Sequence, residues 1–165
     1  MICIGNDNDV RDVISGRDGV INYLKKGSII VDHTTTSSEL SKEMNELLNP
    51  KNIFYIDAPV SGGEAGAQSG QLSIMAGGDK EAFNSIKNIL EPYTKFIKYM
   101  GPPGSGQLTK MVNQICIAGL IQALAEGVNF SKKVGLNTQD VLEAVSYTHP
   151  PSPRDGLLSR MPSSA

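Results

Sequence analysis

Short apolar runs alternate with longer amphipathic stretches along the first hundred residues. Five runs have the β-branched and aromatic character of strands, and they cover residues 2–4, 28–31, 53–56, 72–75 and 96–99. Residues 9–26 and 37–48 carry apolar positions at helical spacing, with Gly27 as a helix stop for the first and Ser37 or Ser38 as an N-cap for the second. This alternation predicts an α/β domain in which the strands joined by such crossover helices are parallel and are covered on both faces.

The hydrophobic period changes near residue 108. From 108 to 134 it is continuously helical, and a shorter helix is predicted over 138–145. We therefore predict the C-terminal part of a Rossmann-type domain over 1–102, and a long interdomain helix with the start of an all-helical domain over 103–146. Residues 147–165 are rich in Pro and Ser and lose all periodicity, which predicts a disordered tail that does not belong to the fold.

Composition and charge exclude several classes of function. Fifteen Lys and Arg against seventeen Asp and Glu give a net charge of −2, and no basic run favours nucleic-acid binding. Unbroken apolar stretches are only a few residues long, and no signal peptide precedes them, so we expect no membrane span and a cytoplasmic location. Cys3 and Cys116 have no metal-ligand spacing, so we interpret them as buried thiols and expect no metal site.

A glycine-rich loop follows the third predicted strand. It occupies the end of the segment Asp57-Ala58-Pro59-Val60-Ser61-Gly62-Gly63. Its consecutive backbone N–H groups and the Ser61 hydroxyl are suited to holding a carboxylate or a phosphate. The loop taken alone is more typical of a tight turn between strands, so both interpretations remain open here.

A second glycine turn, at residues 101–106, precedes the long helix. It resembles a P-loop but has Gln107 and Leu108 where a P-loop requires Lys and Ser or Thr, so ATP binding stays a weak alternative. Lys110 follows, with Asn113 and Gln114 three and four residues later on the same helix face. Such a lysine is usually a solvated surface residue. The glycine spacing, however, would let the helix start approach a ligand, and a desolvated lysine there is suited to proton transfer.

Polar residues also close the second predicted strand, in the segment Asp32-His33-Thr34-Thr35-Thr36. The carboxyl ends of parallel strands are where open α/β sheets bind their ligands. The threonine hydroxyls are suited to a cofactor contact, to capping the next helix, or to both. A Ser-His-Asp triad would have to use His33, because the other histidine, His149, lies in the tail; we consider a triad improbable.

Three motifs together resemble the 3-hydroxyisobutyrate dehydrogenase family of β-hydroxyacid dehydrogenases, in family order and at family spacing. They are the segment from Asp57 to Gly63, the segment Gly70-Gln71-Leu72-Ser73-Ile74-Met75-Ala76-Gly77-Gly78-Asp79, and Gly104-x-Gly106-x-x-x-Lys110-x-x-Asn113. The resemblance covers residues 1–146. It implies a Rossmann domain and a helical domain joined by a long helix, and hydride exchange between NAD or NADP and a 3-hydroxy acid or its semialdehyde.

The resemblance also implies roles for individual residues. Lys110 would be the catalytic acid/base. The substrate would be bound by Ser61, Gly62 and Gly63 at its carboxylate and by Asn113, followed by Gln114 where some members have a second Asn. The cofactor would contact Ile4 and Gly5, where Gly5 replaces a common proline, and Thr34 and Thr35.

Two departures from the family are expected to matter. The opening strand with its Gly-x-Gly-x-x-Gly turn is not found in this sequence, and the helical domain stops near residue 146. We therefore expect a fragment truncated at both ends and inactive by itself, whose full-length parent is a homo-oligomer acting on a small hydroxy acid. The alternative is a non-catalytic NAD(P)- or phosphate-binding module, which the presence of Lys110 disfavours.

Overall fold

The computed structural model describes residues 1–146; the predicted disordered tail and His149 lie outside the described residues. The chain divides into two units, Met1–Met111 and Val112–Ala165. Each unit is described by itself. The predicted domain boundary at residues 102 and 103 stays a prediction.

The first unit is an α/β domain, which confirms the predicted fold class. Its strands are β1 (Ile29–Asp32), β2 (Phe54–Asp57), β3 (Val60–Ser61), β4 (Leu72–Gly77) and β5 (Thr94–Gly101). Its complete helices are α1 (Asp7–Ser15), α2 (Ser38–Leu48), α3 (Gly63–Gln68) and α4 (Lys80–Leu90). The predicted strand at residues 2–4 makes a single parallel bridge instead, from Ile2 to Asp32.

The sheet is mixed, and the strands that a crossover helix joins are parallel, as the sequence predicts. The strand order is β1-β2-β4-β3, and β5 also pairs with β4. Strands β1 and β2 are parallel, as are β4 and β5, whereas β4 is antiparallel to β2 and to β3. The parallel pairs are each joined by a full crossover helix, α2 or α4. Strand β3 follows β2 after two residues but pairs with β4.

Two apolar clusters cover the two faces of the sheet. Successive strand residues alternate between them: Ile30 and Tyr55 pack with α1 and α2, while Val31 and Ile56 pack with α4. Burying each such large side chain stabilises the fold by roughly 2 kcal/mol. Polar residues lie at the carboxyl ends of these strands, Asp32 in β1 and Asp57 in β2, and the candidate site is located there.

Local signals determine where the helices begin and end. Ser37 caps α2 as predicted, since its Oγ accepts a hydrogen bond from the backbone N–H of Leu40. Helix α1 ends at Ser15, however, well short of residue 26. A Cβ on Gly19 would lie 2.5 Å from the carbonyl oxygen of Ile14, so the backbone folds back tightly after α1. Of the apolar residues beyond it, Val20 and Ile21 belong to a 3₁₀ turn at Val20–Asn22.

The boundary between the units falls within the long helix α5 (Ser105–Lys133), which is followed by α6 (Thr138–Ser146). Among residues 112–145, only Ser131 is buried. Helix α5 has 29 residues and a mean hydropathy of 1.4 over its most apolar window, so by length and composition it is able to cross a membrane. Unbroken apolar runs in the sequence do not reveal this property, because small and polar residues interrupt them. The property is weak evidence by itself, because the core helices of many soluble proteins share it.

The interpretation of both cysteines as buried thiols is wrong. Cys3 is exposed and Cys116 is partly exposed. Ile2 and Ile4 pack against the cluster below α1, and the alternation of an extended segment turns the intervening Cys3 away from it. Cys116 lies on α5, where most neighbouring side chains are exposed.

Candidate active site

Lys110 lies beside the loop of residues 61–63. Its Nζ donates a hydrogen bond to the carbonyl oxygen of Val60 at 2.8 Å, and Val60 directly precedes Ser61 in the chain. The lysine is partly buried, and this desolvation lowers the pKa of its ammonium group. Lys110 is therefore not an ordinary solvated surface residue, and two segments 50 positions apart form one candidate site.

The 61–63 loop connects a strand to a helix, so its interpretation as a simple turn between strands is wrong. Ser61 pairs with Ser73 at the end of β3, and α3 begins at Gly63. Gly62 and Gly63 have φ angles of 136° and 60°, which favour glycine. A Cβ on Gly62 would approach Leu72 Cδ2 to 3.1 Å, whereas a Cβ on Gly63 would meet nothing within 4 Å. Open space therefore lies next to Gly63.

Asp57 anchors the start of the helix that carries Lys110. It lies at the carboxyl end of β2, and its buried carboxylate accepts hydrogen bonds from the backbone N–H groups of Gly104 at 2.9 Å and Gln107 at 3.0 Å. A Cβ on Gly106 would lie 2.7 Å from the Asp57 Oδ2 atom. The glycine spacing thus lets the start of the helix pack against the end of the sheet. The sequence suggested that the same spacing lets a ligand approach, but this contact indicates packing instead.

The buried environment of Asp57 changes the pKa of its carboxyl group. Burial raises the pKa of this carboxyl to about 6, against the opposing effect of the backbone N–H groups that point at it. Sequence reasoning treated Asp57 only as the first residue of a motif. A single acidic residue after a predicted strand carries no signal that it will cap a helix 50 positions away.

Gln107 is the second residue that sequence reasoning missed, because it served there only as an argument against a P-loop. Its side chain is fully buried. Nε2 donates to the carbonyl oxygen of Thr34 at 2.7 Å, and Oε1 accepts from the backbone N–H of Thr36 at 3.1 Å. Gln107 therefore ties the start of α5 to the segment that follows β1.

The four residues predicted to contact the cofactor fall into two neighbouring segments. The backbone N–H of Ile4 donates to Thr34 Oγ1 at 3.0 Å, so residues 4–5 lie beside residues 34–35. Gly5 and Thr35 are exposed, and within the described chain the Thr35 hydroxyl makes no hydrogen bond. Exposed backbone and a free hydroxyl at the carboxyl end of a parallel strand fit the polar part of a nicotinamide cofactor.

Asn113 and Gln114 belong to the second unit. There the Asn113 Nδ2 atom donates to Gln114 Oε1 at 3.3 Å, Gln114 is exposed and Asn113 is partly exposed. Their predicted contacts with a substrate stay predictions.

His33 is engaged in the first unit through both ring nitrogens. Nδ1 lies 2.7 Å from the carbonyl oxygen of Ala58, and Nε2 lies 2.9 Å from the Tyr93 hydroxyl. Neither nitrogen is left to activate a serine. Within residues 1–146, no cluster of three or more His, Cys, Asp or Glu side chains is suited to hold a metal ion.

Two protein-family models match the chain. The model described as the NAD binding domain of 6-phosphogluconate dehydrogenase matches residues 1–101. The model described as NAD-binding of NADP-dependent 3-hydroxyisobutyrate dehydrogenase matches residues 104–153. The two matches meet at the start of α5.

Similar proteins include an uncharacterised oxidoreductase of Shewanella frigidimarina, 48% identical, of which the match covers 87% of this chain and 50% of the relative. A probable 3-hydroxyisobutyrate dehydrogenase-like protein of Arabidopsis thaliana is 42% identical, covering 86% and 47%. The solved structure of Mycobacterium tuberculosis 3-hydroxyisobutyrate dehydrogenase with L-serine superposes with a TM-score of 0.79 at 28% identity, covering 87% and 48%. The chain thus spans about half the length of these relatives.

Proposed function

The chain belongs to the family of 6-phosphogluconate and 3-hydroxyisobutyrate dehydrogenase NAD-binding domains, and from this premise we propose that it forms the substrate-binding and proton-transfer part of a 3-hydroxy acid dehydrogenase. The family membership confirms the resemblance inferred from the three motifs. Both family models describe NAD-binding domains, which confirms the prediction that the cofactor is NAD or NADP.

The observation that carries the proposal is the hydrogen bond from Lys110 Nζ to the Val60 carbonyl oxygen, 2.8 Å long, beside the open space at Gly63. In the proposed arrangement, the Ser61 hydroxyl and the amides of Gly62 and Gly63 bind the substrate carboxylate. Lys110 then reaches the hydroxyl on the third carbon. L-serine, named with the M. tuberculosis relative, has the same separation of carboxylate and hydroxyl.

Lys110 is proposed to move the proton of the reaction. NAD or NADP, when bound, supplies the hydride acceptor or donor. In the oxidative direction the neutral amine of Lys110 takes the hydroxyl proton as the C–H bond gives up its hydride, and the alcohol carbon becomes a carbonyl. In the reductive direction the ammonium group returns the proton to the oxygen. The lowered pKa of Lys110 favours this role, because it increases the amine fraction near neutral pH.

The remaining predicted residues take supporting roles in this proposal. Ile4, Gly5, Thr34 and Thr35 hold part of the cofactor at the carboxyl end of β1. Asn113 and Gln114 position the substrate. The substrate is a small hydroxy acid, and the cytoplasmic location and homo-oligomeric state of the whole enzyme stay predictions.

Steady-state kinetics test the role of Lys110. The protein is expressed from the longest open reading frame that contains this chain and assayed with NAD, NADP and several 3-hydroxy acids. We expect Lys110→Ala to lower kcat by a factor on the order of 10² or more, the usual contribution of a positioned acid/base. Lys110→Arg should lower kcat as much as Lys110→Ala does, because arginine keeps the positive charge but does not release its proton near neutral pH.

Lys133→Ala is the matched control, since Lys133 is exposed near the end of the same helix. It should retain the parent activity. If Lys110→Ala stays within a few-fold of the parent, proton transfer by this lysine is excluded. If Lys110→Arg is active while Lys110→Ala is not, the residue contributes charge alone.

A further inference from the structure

Gln107 joins three separate parts of the first unit through one residue. Its side chain, 1% exposed, bonds to the backbone of Thr34 and Thr36, and its own N–H donates to the carboxylate of Asp57. Lys110 lies one helical turn further along α5, on the same side of the helix. The segment after β1, the end of β2 and the helix that carries Lys110 therefore meet at this glutamine.

The amide of Gln107 restrains residues 34–36 at two points. It donates to the carbonyl oxygen before Thr35 and accepts from the N–H after Thr35, so the exposed Thr35 projects from between two fixed backbone groups. Thr34 extends the connection, because its Oγ1 accepts from the N–H of Ile4. An amide can donate and accept at the same time, whereas a carboxylate or an apolar side chain of equal length cannot satisfy both groups.

We propose that Gln107 is a positioning residue that sets the cofactor-contacting segment, residues 34–36, at a defined distance from Lys110. This inference rests on the proposed function of the site. Hydride transfer requires the reacting carbon, the cofactor and the acid/base to be aligned, and small misplacements reduce the rate steeply. Gln107 transmits the position of the helix start to the cofactor segment without touching either reactant.

The first test compares Gln107→Leu with Gln122→Leu, a control at an exposed glutamine on the same helix. We expect Gln107→Leu to lower kcat by roughly 10-fold to 100-fold and to raise the KM for the cofactor, while the KM for the hydroxy acid changes little. Titration of NADPH fluorescence should show the weakened cofactor binding directly. In the cofactor-free protein, hydrogen exchange at the Thr36 amide should accelerate, since its acceptor is gone. Gln122→Leu should match the parent in every readout.

Gln107→Glu supplies a second readout, compared only over the pH range in which circular dichroism shows this variant to be folded. At neutral pH the introduced carboxylate still accepts from the Thr36 amide but does not donate to the Thr34 carbonyl oxygen. When protonated, the same carboxyl both donates and accepts, as the amide does. The ratio of variant to parent activity in the reductive direction should therefore rise as the pH falls. Asp32 and Asp57 lie at the adjoining strand ends in both proteins, so the activity of the variant is compared as a ratio to the parent.

The outcomes separate the possibilities. Unchanged kcat and cofactor KM in folded Gln107→Leu overturn the proposal, as does a loss of activity that only follows the fraction of unfolded protein. If Gln107→Leu does not fold, a ratio for Gln107→Glu that rises at low pH supports the proposal and a flat ratio overturns it. If Lys110→Ala keeps full activity while Gln107→Leu still weakens NADPH binding, the proposed function fails and the positioning of the cofactor segment by Gln107 stands.

Discussion

The first unit and the described part of the second unit use the same kind of sequence pattern with opposite results. Helix α2 buries Leu40, Met44 and Leu48 in a tight cluster. In the second unit, Ile115 is 72% exposed and Ile121 is 61% exposed. Apolar residues at helical spacing therefore form a core only where a second element covers them, as the sheet covers α2.

The comparison extends to polar residues. The first unit buries Asp32, Asp57 and Gln107, and each makes a hydrogen bond to a distant segment, in the case of Asp32 with the Tyr55 hydroxyl of β2. In the described part of the second unit, polar side chains pair mainly with neighbours on the same helix, such as Gln122 with Glu126. The candidate site therefore lies at the edge of the packed core, where buried polar side chains form hydrogen bonds between the strand ends and other segments.

The largest expected effect compares one leucine from each unit. Leu40→Ala should lower the free energy of unfolding by about 2 to 5 kcal/mol, because it removes a fully buried side chain and leaves a cavity. Leu124→Ala should lower it by less than about 1 kcal/mol, since Leu124 is already 50% exposed. Urea unfolding followed by circular dichroism measures both. Equal losses would mean that the second unit has a core of its own.

A smaller effect is expected from Asp57, and it depends on pH. Folding raises the pKa of this carboxyl from 3.8 to about 6, so the folded state favours the protonated form. Its contribution to stability is complete below about pH 4 and is lost as the pH rises through about 6, a difference of at most about 3 kcal/mol.

Comparison with Asp57→Asn isolates this contribution. The variant does not titrate at this position, and other carboxyls such as Glu43 cancel in the difference. The free energy of unfolding of the parent minus that of the variant should therefore decrease from pH 4 to pH 6. A difference that stays constant over this range would show that the backbone N–H groups offset the effect of burial, and one that increases would show that they outweigh it.

The smallest expected effect concerns the apolar stripe of the second unit, the exposed side chains of α5 that include Ile115, Ile121 and Leu124. Apolar side chains of this kind favour self-association, so Ile121→Glu should raise the concentration at which the chain associates by about tenfold. Sedimentation velocity over a concentration series measures this, with Gln122→Glu as a control that adds the same charge at the adjacent position. If both variants shift association equally, charge rather than the apolar stripe is responsible.

Much of the architecture could be predicted from the sequence, because its signals are local. The alternation of strand and helix patterns, the Ser37 cap of α2 and the helical period of α5 depend on residues within a few positions of one another. The motifs around Ser61 and Lys110 likewise carry their spacing in the sequence, and the family they resemble is the family to which the chain belongs.

Only the tertiary structure decided how distant segments meet. The antiparallel direction of β4 and the exposure of Cys3 and of the apolar side chains of α5 depend on which elements pack together. The contacts of Lys110 with Val60 and of Gln107 with residues 34 and 36 join positions 50 to 73 residues apart. Periodicity records which side of an element is apolar, but it does not record what covers that side. Buried hydrogen bonds form only after packing has brought their donors and acceptors together.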